Sequence, residues 1–355
     1  MAKMARQDVF SPNEIACVHV MNRAVRRCFL LGDDPISGKN FDHRKRWMES
    51  KLELHAANFG IDLLGYAILS NHFHLLLRSR PDVVASWSDN EIARRWWMLC
   101  PKRKKADGSA EKPNPAEIKS ITGDPAKVEE VRSRLSDISW WMRLLCQHVG
   151  QRANRETGEE GKFWQDRFRA VRLLDESAML ACVAYVDLNP IRAELAETIE
   201  QSDFTSAQKR LEALLLQTVS AKIDQGNCVT PPDHCLAPVH CDERSAELGT
   251  CVSRGGSRCS EKGFLNMTAA DYLQLLDWTA REVASGKSGT TPADAPTLLE
   301  RVGLKPASWL ALVRDFGRLF HHVAGQPHQI ASTKSRHSKR RFRVRSKVLQ
   351  AFAAA

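Results

Sequence analysis

The sequence lacks the features that mark membrane-spanning, exported and nucleotide-hydrolysing proteins. No run of about eighteen apolar residues occurs, so no membrane-spanning helix is expected. Residues 1–14 contain no apolar core of the signal-peptide kind, and we therefore expect a cytoplasmic protein. No G-x-x-x-x-G-K-[ST] loop is present, so no nucleotide cofactor is expected.

Cysteine is plentiful, but its spacing is not that of a zinc ribbon. The chain has 10 cysteines, and none forms a C-x-x-C pair. Those outside 225–262 stand singly in apolar surroundings, which is typical of reduced core thiols. The others crowd into 225–262 with two histidines, where a structural zinc is the less favoured alternative because the usual ligand spacing is missing.

A cationic excess is the main signal in the composition. The 355 residues include 52 Lys and Arg against 42 Asp and Glu, which gives a net charge of +10. This balance favours polyanionic partners, with nucleic acid first among them. A hydrophobic content of 43% over this length suits a globular protein of about two domains.

Periodicity predicts an α+β fold. A strand begins at Cys17, a helix covers 42–58, and two strands, 61–69 and 72–78, are joined by a tight turn. Four prolines break the polar segment 79–123, which we interpret as an insertion or long loop.

The second half of the pattern is mainly helical. One helix is predicted from Asp124 to Val149, one or two strands over 162–174, and a helix from Asp175 to Leu188. The predicted organisation is a main domain over 8–204 with an insertion at about 79–123, a helix and irregular linker over 205–262, a small helical domain over 263–325 and a basic tail over 326–355.

Two histidines lie two positions apart in the predicted strand 72–78. Residues two apart share one face of a strand, so the imidazoles of His72 and His74 lie side by side. Neutral imidazoles on a rigid strand suit one divalent metal. The same pattern also fits two half-buried polar residues on a sheet face, and H-x-H alone does not decide between them.

Tyr185 and Asn189 are four apart and therefore share a helix face, with the small residues Ala181 and Cys182 nearby. Tyrosine can form a covalent intermediate, and an asparagine oxygen can complete the coordination of a metal that polarises a phosphate. Viewed singly, Tyr185 also fits a core aromatic residue, and Asn189 a helix cap before Pro190.

Together these motifs resemble a known family, the REP-associated tyrosine transposases of the single-tyrosine HUH class. The residues that carry the resemblance are His72-Phe73-His74, Phe163-Trp164-Gln165-Asp166-Arg167-Phe168, and Tyr185-Val186-Asp187-Leu188-Asn189-Pro190-Ile191-Arg192-Ala193, with His19-Val20-x-Asn22-Arg23 similar to the family's opening strand. The resemblance covers roughly Cys17 to Phe204 and is interrupted by 79–123.

The resemblance implies a fold and a reaction. The fold would be a ferredoxin-like antiparallel sheet with helices on one face, the HUH endonuclease core, followed here by the C-terminal helical domain. His72, His74 and Asn189 would bind Mg²⁺ or Mn²⁺, and Tyr185 would attack a phosphodiester of single-stranded DNA that carries a hairpin or palindromic repeats. A 5′-phosphotyrosine link and a free 3′-hydroxyl would result. A monomer and a homodimer both remain open.

Several basic residues are candidates for contacts to the DNA backbone, although ordinary surface charge explains them equally well. They are Arg23, Arg167, Arg169, Lys339, Arg340 and Arg341. Other paired-histidine enzymes fit poorly, because the Asp and His of an H-x-H-x-D-H hydrolase and the P-C-x-x-C of a zinc deaminase are absent. The serious alternative is a non-cleaving DNA-binding or regulatory protein on the same scaffold.

Overall fold

The computed structural model describes residues 9–25, 30–35, 37–220, 230–241, 256–283, 299–300 and 304–336. Its strands are β1 (Cys17–Arg23), β2 (Ile61–Ile68), β3 (His72–Ser79), β4 (Arg169–Leu173) and β5 (Val323–Ala324). Its helices are α1 (His43–Asn58), α2 (Pro81–Ala85), α3 (Asp89–Leu99), α4 (Pro115–Thr122), α5 (Pro125–Leu135), α6 (Ile138–Thr157), α7 (Glu176–Asp187), α8 (Asn189–Arg192), α9 (Ser206–Ser220), α10 (Ala269–Val283), α11 (Pro306–Leu319) and α12 (Pro327–Arg336).

The strands form one mixed sheet in the order β2-β3-β1-β4-β5. The pairs β2-β3, β3-β1 and β1-β4 are antiparallel, as predicted. Because β5 pairs parallel with β4, the expectation of a wholly antiparallel sheet was wrong. The added strand has a physical reason: the backbone N–H groups of Arg172 and Leu174 donate to the carbonyls of His322 and Ala324. The outer edge of β4 is thereby partly paired.

Helices cover both faces of the sheet, whereas the resemblance implied helices on one face. On one side Phe73, Leu75 and Leu77 of β3 join a buried cluster that includes residues of α1 and α6. On the other side Leu76 joins a second cluster that includes residues of α7, α10 and α11. Because β3 has the apolar residues Phe73, Leu75 and Leu77 on one face and Leu76 on the other, each face is covered by helices.

The segment 79–123 is not a long loop, because it contains α2, α3 and α4. The side chain of Ser88 accepts a hydrogen bond from the backbone N–H of Glu91 and starts α3, whose Ile92, Ala93 and Trp97 are buried. The side chain of Asn114 caps α4 in the same way. These caps and apolar positions give the segment a packed face despite its prolines.

The long helix predicted from Asp124 to Val149 is two helices. α5 ends at Leu135, and the side chain of Asp137 starts α6 by accepting from the backbone N–H of Ser139 at 2.7 Å. α6 then runs past the predicted end to Gly158, whose φ of 67° gives the left-handed helix stop. The strand predicted over 162–174 is shorter, since only β4 forms there.

The C-terminal segments pack against the sheet and its helices. Ala237 donates its backbone N–H to the carbonyl of Leu63 at 2.9 Å, so part of the predicted linker lies along β2. α12 occupies 327–336, within the predicted basic tail, while Lys339, Arg340 and Arg341 lie outside the described residues. None of the described helices combines the length and apolar character that a bilayer crossing requires.

Candidate active site

Three histidines lie on the sheet face that α7 covers. Met21 is the register partner of His74, and Arg23 that of His72, so these side chains point to the same side. His19 lies two positions before Met21 on β1 and shares that face. The predicted pair is therefore a group of three imidazoles on adjacent central strands.

A chain of polar contacts fixes the orientation of these imidazoles. Nε2 of His19 lies 2.9 Å from Nδ1 of His74, and Nε2 of His74 lies 3.3 Å from the side-chain nitrogen of Asn189. Nδ1 of His72 is 2.6 Å from Oδ1 of Asn71, and the His72 and His74 ring centroids are 5.1 Å apart. The contact at Nδ1 of His72 orients that ring and leaves Nε2 as the nitrogen that can bind a ligand, whereas the His74 ring is oriented by polar contacts at both of its nitrogens.

Burial keeps these histidines neutral. It lowers the pKa of His19 to about 3, with a further contribution from the charge of Arg169. It lowers the pKa of His72 to about 4, again assisted by a nearby guanidinium, that of Arg23. The pKa of His74 also lies well below its usual value, first because of burial and then because of the neighbouring imidazoles and arginines. All three are in the form that binds metals at neutral pH.

Helix α7 brings Tyr185 over the histidines. The side chain of Asp175 starts the helix by accepting from the backbone N–H of Ala178 at 2.9 Å. The helix approaches β2 closely, because a Cβ on Gly65 would lie only 3.1 Å from the Val183 side chain. A glycine at this strand position therefore makes room for the helix.

The ring of Tyr185 lies among aromatic and cationic groups. Its centroid is 5.6 Å from that of His74, 6.0 Å from that of His19 and 5.6 Å from that of Phe316. The Arg192 guanidinium lies 4.7 Å from the ring centroid. Tyr185 and Asn189 therefore both approach His74.

Tyr185 is distinguished from the other tyrosines by its exposure. The chain has 3 tyrosines; Tyr66 and Tyr272 are only 3% and 0% exposed, whereas Tyr185 is half-buried and faces a cavity. Burial raises the pKa of Tyr66 and Tyr272 well above its usual value. Of the three hydroxyls, that of Tyr185 is the one placed to meet a substrate.

The cavity beside Tyr185 has a volume of about 610 Å³ and contains two of the three arginines predicted from the first half of the chain. Arg23 and Arg169 line it together with Arg192. Arg167 is exposed and lines a different cavity, beside Arg143. The three arginines predicted to contact the DNA backbone are thus divided between two cavities.

Two site residues were not predicted as such, and the sequence held a signal for one of them. His19 belongs to an alternating strand that pairs with β3, so its position facing the His72 and His74 side of the sheet follows from the register. Phe316 read as an apolar residue of a separate helical domain, and no local feature indicated its contact with Tyr185.

The residues proposed to hold a metal fit that role by their chemistry. His72 and His74 offer neutral imidazole nitrogens, and the Asn189 side-chain amide, which also carries an oxygen able to bind a metal, has its nitrogen 3.3 Å from Nε2 of His74. In the described part of the chain no three His, Cys, Asp or Glu side chains are grouped for a metal, so the amide is essential to the set.

Comparison with known proteins gives one distant structural similarity. No family model and no curated protein matches the chain. A solved structure of a REP-associated tyrosine transposase bound to a REP hairpin is similar at a TM-score of 0.34 and 11% identity, over 59% of this chain and 86% of that one. Similarity at this level does not establish a shared function, so the site residues have to support any proposal.

Proposed function

We propose that the protein is a metal-dependent single-stranded DNA transposase that cleaves and rejoins hairpin-associated DNA through a 5′-phosphotyrosine intermediate. One observation carries the proposal: the Tyr185 ring and the Asn189 amide approach the same imidazole, that of His74, at 5.6 Å between centroids and 3.3 Å between nitrogens. This arrangement supports a site in which a nucleophile and two metal-binding groups surround one point.

The reaction requires little of the protein beyond position and charge. The Tyr185 oxygen forms a bond to the phosphorus and loses its proton, while the bond from phosphorus to the 3′ oxygen breaks. That 3′ oxygen takes up a proton and leaves as a 3′-hydroxyl. The Arg192 guanidinium over the ring favours the negative charge that develops on the phenol oxygen. Attack by a 3′-hydroxyl on the phosphotyrosine reverses the step and joins a strand.

We propose that His72, His74 and Asn189 hold a divalent ion, Mg²⁺ or Mn²⁺, which when bound supplies Lewis-acid polarisation of the attacked phosphate. Two imidazole ligands favour Mn²⁺ over Mg²⁺, because Mg²⁺ prefers oxygen. His19 would act as a positioning residue through its contact with Nδ1 of His74.

The strand order supports a ferredoxin-like core for the proposed catalytic domain, residues 8–204. β1 leads through α1 to β2, which lies two places away in the sheet, and β2-β3-β1-β4 are mutually antiparallel neighbours. Tyr185 and His74 belong to the same chain, which supports action of the tyrosine within one subunit and does not require a dimer.

The test is formation of a covalent protein–DNA adduct. Incubation with Mn²⁺ and candidate single strands that carry hairpins or palindromic repeats should give an adduct that survives denaturation. Tyr185→Phe should abolish the adduct while leaving DNA binding intact, because only the nucleophilic oxygen is removed. Tyr66→Phe is the matched control: it removes a buried hydroxyl that donates to Glu49 at 2.7 Å, and should leave the adduct.

The outcomes separate the two candidate functions. An adduct that persists in Tyr185→Phe would show that another residue attacks. Binding without any adduct in the wild-type protein would favour the non-cleaving DNA-binding or regulatory protein.

A further inference from the structure

Helix α11 lies directly over the proposed nucleophile. Phe316 packs on the Tyr185 ring at an interplanar angle of 31°. A Cβ on Gly317 would lie 2.9 Å from the Tyr185 hydroxyl oxygen. The Arg192 side chain donates to the carbonyl of Arg314 at 2.5 Å, which ties α8 to α11. α11 is therefore a wall of the cavity that contains Tyr185.

The two walls of this cavity carry the same charge. Arg23, Arg169 and Arg192 come from the sheet and α8, and Arg314 and Arg318 from α11. Among the described lining residues the acidic one is Asp315, which pairs with Arg314 at 3.2 Å and Arg318 at 3.5 Å. Five guanidinium groups thus face one carboxylate, and the excess attracts an anion.

The positions of these arginines favour an extended anion over a small one. The side chains of Arg314 and Arg318 are 66% and 89% exposed, so their charged ends reach into solvent. They are one helical turn apart, about 6 Å along the axis. On the opposite wall Nε of Arg23 is buried and has no hydrogen-bond partner among the described residues. Cationic groups therefore extend from the interior of the cavity to its mouth.

We propose that this arginine cleft, formed by Arg23, Arg169, Arg192, Arg314 and Arg318, binds successive phosphates of a single DNA strand on both sides of Tyr185. The strand passes between the sheet and α11, and α11 contributes two of the five arginines. Its volume of about 610 Å³ lies within the usual range for ligand sites, roughly 300–1,000 Å³. The inference rests on the proposed function for the identity of the anion.

The experiment measures binding of a fluorescein-labelled oligothymidylate as a function of salt. For single strands the logarithm of affinity falls with that of salt by about 0.7 per phosphate contact. Arg314→Gln/Arg318→Gln should therefore reduce the slope by about 1.4. Arg314→Lys/Arg318→Lys keeps both charges and should retain the slope.

The matched control is Arg281→Gln. Arg281 is also an exposed helix arginine paired to an aspartate of its own helix, Asp277, but it does not line the cleft. Its removal should leave the slope unchanged.

The outcomes are distinguishable from those of the adduct test. An unchanged slope in Arg314→Gln/Arg318→Gln, or an equal fall in Arg281→Gln, overturns the arginine cleft even if the wild-type protein forms an adduct. A reduced slope in the double variant alone supports the cleft, even if no adduct forms and the cleavage proposal fails. No binding of the oligothymidylate by the wild-type protein overturns the cleft.

Discussion

Replacing Gly317 with alanine should separate the stability of α11 from the reactivity of Tyr185. Gly317 lies in the interior of the helix and is exposed. At such a position alanine is favoured over glycine by about 1 kcal/mol, because glycine loses more backbone entropy on folding. Helix propensity alone therefore predicts a more stable protein.

The contact with Tyr185 opposes that gain. The new Cβ would lie 2.9 Å from the hydroxyl oxygen and 3.5 Å from Cζ. Only the first distance is well below an ordinary contact of about 3.5 Å, so the oxygen has to move by roughly half an ångström. The ring is held between Phe316 and His74, and its displacement moves the nucleophile. We expect adduct formation to slow by about 10- to 100-fold.

A double-mutant cycle with Tyr185→Phe isolates this contact. In the phenylalanine background the clash is absent, so Gly317→Ala should give the full gain of about 1 kcal/mol in urea unfolding. In the tyrosine background the gain should be smaller. Equal gains in both backgrounds, together with an unchanged rate of adduct formation, would refute the close approach of α11 to the hydroxyl.

The sheet and its histidines could be predicted from the sequence because their signals are local. Alternation places His72 and His74 on one face, and only three residues, 69–71, separate β2 from β3. The spacing of four likewise predicts that Tyr185 and Asn189 share a face, although a helix boundary falls between them at Leu188. Strand period and helix period each follow from a few neighbouring residues.

The cover of the site could not be predicted, because it depends on contacts between distant segments. Phe316 and Trp309 repeat at helical spacing and are fully buried, but that pattern does not say which surface they pack against. The contact of Phe316 with Tyr185 joins residues far apart in the chain. Only the folded chain shows that α11 lies beside Tyr185.

The expectation of a long loop over 79–123 was wrong for a different reason. Prolines and charges dominate the segment, and they mask the local helix signals. Pro81 and Pro115 stand at the starts of α2 and α4, where proline is favoured because the missing N–H would have no partner within the helix. Two of the four prolines that suggested a loop therefore mark helix starts.

Two further changes test the buried polar groups. His55→Leu should reduce the loss of stability on acidification, because burial beside Trp141 lowers the pKa of His55 well below its usual value. In the unfolded chain His55 gains a proton near pH 6.5, whereas the folded state keeps it neutral. The free energy of unfolding therefore falls by up to about 1.4 kcal/mol for each pH unit below that value. The free energy of unfolding of both proteins would be measured in urea at several values between about pH 7 and pH 5. Equal losses of stability in the wild-type protein and in His55→Leu would contradict the prediction. Asp62→Ala should cost about 3 kcal/mol, measured by the same method at neutral pH, because the fully buried carboxylate accepts from Arg78 at 2.8 Å and from Ser260 at 2.7 Å. Arg78 also donates to the carbonyl of Gly263, which holds its guanidinium in place, so in the variant this charge would stay buried without a carboxylate. A loss of stability below about 1 kcal/mol would mean that the backbone carbonyl is a sufficient partner for Arg78.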